Sequence, residues 1–123
     1  MFGCATFSYN SKMENFEDIS KAYEEALLAS DFETAYQLID PETIKEETGF
    51  DKYKNIKVVD YEVKKSGMSG DSSEIYQIVE IGYYKIGNYI LRTLRHKELW
   101  KYNEKSKTWF LETGLPDFEQ GNN

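Results

Sequence analysis

The chain has 123 residues, the length of one domain, and 40% of them are hydrophobic, which is enough for one core. Its net charge of −7 argues against a general nucleic-acid binder and against an anionic membrane surface as the main partner, because both need clustered cations. With one cysteine and one histidine, neither an internal disulfide nor a Cys-rich or His-rich metal site can form. We expect no cofactor and no metal.

Residues 1–13 are predicted to be a tether or a tail. Gly3 followed by Cys4 resembles the end of a bacterial lipoprotein signal, in which the cysteine becomes the lipidated first residue. The charged and apolar segments that precede such a site are absent from the sequence. Two interpretations stay open: Cys4 anchors the protein in a bacterial cell envelope, or the segment is an ordinary N-terminus of a cytoplasmic protein.

The next part of the chain predicts two to three helices. Residues 15–29 have an amphipathic pattern with Asn15 as the N-cap. Ser30 and Glu33 have the spacing of a capping box, which predicts a second helix. Asp40-Pro41 predicts the start of a short third helix that Gly49 closes. The apolar stripe of the first helix consists of Phe16, Ile19, Tyr23, Ala26 and Leu27.

Four strands are predicted after the helices. In the first, residues 56–65, Val59, Tyr61 and Val63 alternate with charged residues and should face the core. Residues 66–73 are predicted to be a flexible loop. Residues 75–86 and 89–102 should form a hairpin around Gly87-Asn88, and a fourth strand should contain Trp109. The domain is expected to span residues 14–118, followed by a polar tail at 119–123.

The hairpin also predicts a register. A two-residue turn places Glu80 opposite Arg95, and a four-residue loop at 103–106 places Trp100 opposite Trp109. Because side chains alternate along a strand, the sheet then has two different faces. The predicted core face carries Ile75, Gln77, Val79, Ile81, Tyr83, Leu94, His96, Glu98, Trp100, Trp109 and Leu111. The predicted outer face carries Tyr76, Ile78, Glu80, Tyr84, Leu91, Arg95, Lys97, Leu99 and Phe110.

This order of elements resembles the nuclear-transport-factor-2-like superfamily over residues 14–118. The segments that carry the resemblance are Ala26-Leu27 through Ala35-Tyr36, Leu99-Trp100-Lys101-Tyr102 and Thr108-Trp109-Phe110-Leu111. The resemblance implies an α+β cone in which the helices close over a curved, four-stranded antiparallel sheet with a pocket between them. Single-helix cystatin-like folds are the neighbouring alternative. Some members of the superfamily are isomerases, dehydratases or hydrolases, and many others bind partners, so the fold does not choose among them.

Two residues of the core face are candidates for catalysis. A desolvated Glu98 would have a raised pKa, as a general acid or base requires, and His96 lies two positions away on the same face. The alternatives are that both residues lie at a solvated rim, or that Glu98 makes a structural hydrogen bond with Gln77. A small apolar ligand is a further expectation. The predicted pocket comprises Tyr36, Gln77, Tyr83, His96, Glu98, Trp100 and Trp109, although such aromatic residues are more often core.

The apolar residues of the outer face predict an interface, because exposed apolar patches usually bind a partner. We expect a homodimer or a protein partner there, with Tyr76, Leu99 and Phe110 forming a row across three strands. The predicted interface comprises Tyr76, Ile78, Tyr84, Leu91, Leu99 and Phe110. The leading hypothesis is therefore a non-catalytic binding or interaction domain, for which a tether to the envelope through Cys4 stays open. The alternatives are a small isomerase or dehydratase that uses Glu98 and His96, and a cytoplasmic adaptor.

Overall fold

The structure, a computed structural model, describes the backbone of residues 2–41 and 50–118 and the side chains of residues 10–41 and 50–118. Two helices, α1 (Phe2–Leu28) and α2 (Phe32–Tyr36), and a 3-10 turn (Asp51–Tyr53) precede the strands. The strands β1 (Ile56–Met68), β2 (Glu74–Lys85), β3 (Asn88–Asn103) and β4 (Thr108–Leu111) form one antiparallel sheet in the order β1-β2-β3-β4. The predicted α+β class is confirmed, but the sheet is not strongly curled.

Helix α1 begins at Phe2 rather than at the predicted Asn15. Asn15 therefore lies inside the helix, and its Nδ2 donates to the carbonyl of Lys107, 2.8 Å away, instead of capping. The predicted apolar stripe is confirmed, with Ile19 half-buried and the other four residues buried. The backbone of Cys4 belongs to α1, but its side chain lies outside the described side chains. Lipidation at Cys4 thus stays a prediction.

The junction between the helices differs from the predicted capping box by one residue. Ser30 has a φ of +56°, and the amides of Ser30 and Asp31 donate to the carbonyls of Leu27 and Ala26, which is a Schellman motif. Asp31 caps α2 in place of Ser30, because its carboxylate accepts from the amide and the hydroxyl of Thr34. Ser30 instead accepts from the amide of Val58 in β1, at 3.0 Å.

The segment after α2 reaches β4. The amide of Leu111 donates to the carbonyl of Leu38, and the amide of Asp40 donates to the carbonyl of Leu111. Residues 38–40 therefore cover the outer edge of β4. The predicted third helix, from Asp40-Pro41 to Gly49, lies mostly outside the described residues.

The predicted register of β2 and β3 is confirmed from Ile75 opposite Trp100 to Ile81 opposite Leu94. At the hairpin tip, Lys85 pairs with Asn88 and a register shift lies between Tyr83 and Lys85, so the turn residues are Ile86 and Gly87. Gly87 has a φ of +94°, which favours glycine. The predicted turn at Gly87-Asn88 is thus wrong by one residue, because residues 89–91 of β3 bulge opposite Tyr84 alone and absorb the difference.

The predicted register of β3 and β4 is wrong by two residues. Trp100 pairs with Leu111, and Tyr102 pairs with Trp109. The four-residue loop lies one residue later than predicted, at residues 104–107, so Asn103 pairs with Thr108. A shift of two residues leaves every side chain on its face. Trp109 and Leu111 accordingly remain on the core face, where both are buried.

Strand β1 departs from the predicted alternation. A register shift lies between Val58 and Asp60, so Val58 is buried opposite Tyr83 while Val59 is exposed. Tyr61 faces inward as predicted and is half-buried, whereas Val63 is exposed. The predicted loop at 66–73 is also shorter, since β1 continues to Met68.

Candidate functional site

Glu98 is the most deeply buried acidic residue among the described side chains, with 1% of its surface exposed. It lies on β3 directly opposite Gln77 of β2, and three donors surround its carboxyl group. Tyr61 Oη donates to Oε2 at 2.7 Å, while Gln77 Nε2 and Trp100 Nε1 donate to Oε1 at 3.2 and 3.0 Å. The Gln–Glu hydrogen bond that the sequence offered as a structural alternative is therefore present.

Burial raises the pKa of Glu98 above its ordinary value, and the three hydrogen bonds oppose that shift. Burial also raises the pKa of Tyr61 strongly, and the neighbouring Glu98 carboxyl raises it further. Tyr23 of α1 lies in the same region, and its hydroxyl is buried with no hydrogen-bond partner in the described structure. Burial and the charge of Glu98 likewise raise the pKa of Tyr23. These shifts disfavour any second negative charge beside Glu98.

Aromatic rings fill the space between α1 and the sheet. Phe16 packs edge-on against Trp100 and Trp109, with ring centroids 5.8 and 5.3 Å apart. Tyr23 packs edge-on against Trp100 at 5.5 Å. Both tryptophans are buried, and Trp109 Nε1 donates to the carbonyl of Lys12, which ties the sheet to α1. The sequence left open whether these aromatic residues line a pocket or form core, and in the structure they pack against one another.

His96 lies on the core face with Glu98, as the register predicts, but its hydrogen bond is made elsewhere. Its imidazole bonds to the backbone of Gly114, and its Nε2 is buried without a partner in the described structure. Burial lowers the pKa of His96, and the bond to Gly114 partly offsets this. The structure records no hydrogen bond between His96 and Glu98, so it does not bring the two together as an acid–base pair.

The other residues of the predicted pocket lie apart from Glu98. Tyr83 Oη donates to the carbonyl of Phe118, and the two rings pack 4.8 Å apart. Tyr36 packs against Phe50 beside α2. Of the seven predicted pocket residues, Gln77, Glu98 and Trp100 are joined by hydrogen bonds. A cleft of about 210 Å³ beside Gln77 is lined by Met13, Phe16, Ser66, Gly67, Met68, Ile75 and Gln77.

The outer face of the sheet holds a larger cleft of about 460 Å³. Tyr76 and Leu99 lie directly opposite each other there, as predicted, but Leu99 is followed across the sheet by Glu112 and not by Phe110. Phe110 pairs with Lys101, so the predicted three-strand row is displaced by the register of β4. Tyr76 is 53% exposed. The cleft is lined by Tyr76, Gln77, Ile78, Lys97, Glu98, Leu99 and Thr113.

Tyr76 owes its position to the absence of a side chain at Gly67. A Cβ at Gly67, on the neighbouring β1, would collide with the Tyr76 ring. The ring therefore lies across β1 and forms one wall of the outer face. The rest of the predicted interface is split, because Leu91 is 66% exposed while Ile78, Tyr84, Leu99 and Phe110 are half-buried.

Ion pairs divide the outer face into two apolar areas. Glu80 pairs with Arg95 and Lys64 at 3.4 and 3.8 Å, between the Tyr76 cleft and the hairpin tip. At the tip, the exposed apolar residues are Ile86, Tyr89, Ile90 and Leu91. The sequence prediction placed Ile86 near the interface but did not include Tyr89 or Ile90, although their position at the hairpin tip, away from the helices, could have identified them.

Sequence reasoning also missed the part that Tyr61 plays beside Glu98. The alternation of β1 places Tyr61 on the core face, but its distance from Glu98 depends on the bulge at Val59, which the sequence does not signal.

Among the described residues, no group of three or more His, Cys, Asp and Glu side chains could hold a metal ion. Within the same part of the chain, no helix is both long enough and apolar enough to cross a membrane. Comparison with protein-family models, curated proteins and solved structures found no match to this chain.

Proposed function

We propose that this chain is a non-catalytic interaction domain that binds a protein partner, in the simplest case a second copy of itself, through the outer face of its sheet. The observation that carries the proposal is the contrast between the two faces. The core face of the sheet is covered by packed aromatic rings, whereas the outer face holds an apolar cleft between Tyr76 and Leu99. Clefts of this kind accept the apolar anchor residue of a partner.

The buried carboxyl group supports the same proposal. Glu98 accepts three hydrogen bonds and has 1% of its surface exposed, so its environment is that of a structural polar group. An isomerase or dehydratase would need an acid or base that a substrate can reach. The described clefts do not bring Glu98 and His96 to one cavity. We therefore place the enzyme hypothesis second.

Kinship with the nuclear-transport-factor-2-like superfamily is part of this proposal. It is supported by the helices that pack on a four-stranded antiparallel sheet in the order β1-β2-β3-β4. The described residues show one long helix and one short helix, and the sheet is flatter than a cone requires. An envelope tether through Cys4 is compatible with an interaction domain, and it remains a prediction from the sequence.

Sedimentation velocity over a range of protein concentrations tests self-association. Tyr76→Glu places a charge in the cleft at a position exposed enough to leave the fold intact, and should weaken the dimer by roughly tenfold or more. Val63→Glu is the matched control, because Val63 is an exposed apolar strand residue outside the cleft. A wild-type monomer at high micromolar concentration would contradict self-association, and equal weakening by both variants would contradict the assignment of the interface to the Tyr76 cleft.

A further inference from the structure

Strand β3 is much longer than its neighbour β4. It has 16 residues and β4 has 4, and the pairing of β3 and β4 runs only from Trp100 to Asn103. The chain leaves the sheet after Leu111 because Gly114 adopts a φ of +83° and Pro116 has no amide to donate. The remainder of β3 therefore forms an edge of the sheet.

Because alternate residues of a strand direct their amides and carbonyls to opposite sides, the backbone groups that point away from β2 can be identified. Leu99 donates its amide to Thr113 Oγ1 and accepts from the amide of Glu112, so both of its backbone groups point away from β2. The register with β2 is unbroken from Lys101 to Arg92. Alternate residues of β3 consequently point the same way. These are Lys97, Arg95 and Thr93, all of them exposed, and no described residue bonds to their outward amides and carbonyls.

The two edges of the sheet differ in their protection. Strand β1, the opposite edge, carries register shifts at Val59 and Lys64, and such bulges prevent a further strand from pairing. The open segment of β3 has no such shift from Arg92 onwards. Its geometry is therefore that of a regular strand, and one side of its hydrogen-bonding ladder is unused by the part of the chain that the structure describes.

The positive charge of this edge indicates which kind of strand could pair with it. Arg92, Arg95 and Lys97 lie within six residues of a chain whose net charge is −7. Among the described residues, Arg95 pairs with Glu80, and no ion pair involves Arg92 or Lys97. Two copies of this edge would bring their cations together, whereas an acidic strand would place carboxylates opposite them.

We propose that an acidic, extended segment of a partner protein adds to β3 as a fifth strand along residues 93–97. Its backbone bonds to the outward amides and carbonyls of Thr93, Arg95 and Lys97. Its carboxylates lie on the outer face beside Arg95 and Lys97. Lys97 also lines the Tyr76 cleft, but strand addition needs backbone hydrogen bonds whereas the cleft needs an apolar anchor, so the two proposals can fail independently.

A peptide of alternating Glu and Val, compared with one of alternating Lys and Val, tests the assignment. Amide hydrogen exchange of the full chain should show the amides of Thr93, Arg95 and Lys97 exposed in the free protein and protected by the Glu peptide alone. Added salt should weaken the binding. Protection of these amides in the free protein would show that a second copy or another segment of this chain already covers the edge, and would overturn the proposal. Equal binding of the Lys peptide would also overturn it.

Variants of the edge separate strand addition from simple charge attraction. Thr93→Pro removes one outward donor and should weaken the Glu peptide by roughly tenfold, while Thr93→Val keeps that donor and should bind as the wild type does. Lys97→Glu should shift the preference towards the Lys peptide. A Glu peptide methylated on alternate backbone nitrogens tests the same bonds with the wild-type chain, and its binding with undiminished affinity would overturn the proposal. Val63→Glu, on the opposite edge strand β1, should leave peptide binding unchanged.

Discussion

Glu98 shows how a single carboxyl group affects the whole core. Burial raises its pKa, so the folded state retains the proton at a pH where the unfolded chain has lost it. The wild type should therefore lose stability as the pH rises above the ordinary value of 4.5 and through the folded pKa. Glu98→Gln should abolish this loss. Between the ordinary and the folded pKa, the free energy of unfolding of the variant relative to the wild type should therefore rise by up to about 1.4 kcal/mol per pH unit. Urea unfolding at a series of pH values measures it.

Asp31→Asn provides a control of opposite sign. The hydroxyl and amide of Thr34 hold the pKa of Asp31 below 3.8, so this carboxylate stabilises the fold above that value and loses its effect as the pH falls through the folded pKa. The difference in the free energy of unfolding between Asp31→Asn and the wild type should shrink on acidification below pH 3.8. Parallel stability curves for Glu98→Gln and the wild type would show that burial does not govern the Glu98 proton.

At the scale of elements, the α1–α2 junction depends on Ser30. Its left-handed backbone favours glycine, but its hydroxyl accepts from the amide of the buried Val58. Ser30→Ala removes the hydroxyl and keeps the strained backbone, so it should destabilise the fold by about 1–3 kcal/mol. Ser30→Gly loses the same bond but relieves about 1 kcal/mol of backbone strain. Thermal unfolding should therefore rank the wild type above Ser30→Gly and Ser30→Ala lowest. Equal losses in the two variants would contradict this account.

The elements also show what sequence patterns can and cannot predict. Alternation fixed the face of each residue in β2 and β3, and the pairing of Gln77 with Glu98 followed from the hairpin. Bulges at Val59 of β1 and at residues 89–91 of β3 break that periodicity, and because they depend on tertiary contacts no local signal marks them. For the same reason, the patterns predicted Gln77 beside Glu98, but not the contact of Tyr61 with Glu98.

The whole molecule is held together where α1 crosses the end of the sheet. At about 1.5 Å per residue, the 27 residues of α1 extend over about 40 Å, and the bonds from Trp109 to Lys12 and from Asn15 to Lys107 attach this helix to β4 and to the turn before it. Residues 38–40 attach to β4 from the other side. Although β4 has only four residues, it thus joins α1, residues 38–40 and β3. Its short length alone would not suggest this role.

Trp109→Phe tests whether this attachment is a separate unit of stability. The substitution removes the donor to the Lys12 carbonyl and part of a buried ring, and should cost about 2–3 kcal/mol. Hydrogen exchange should quicken most at the α1 amides near Phe16, while the amides that join β2 and β3 keep their rates. Gln77→Ala is the control, because the Gln77 amide donates from β2 to Glu98 of β3 and its loss should affect β2 and β3 instead. Uniform acceleration throughout both variants would mean that helix and sheet unfold as one unit, and that β4 has no special part in joining them.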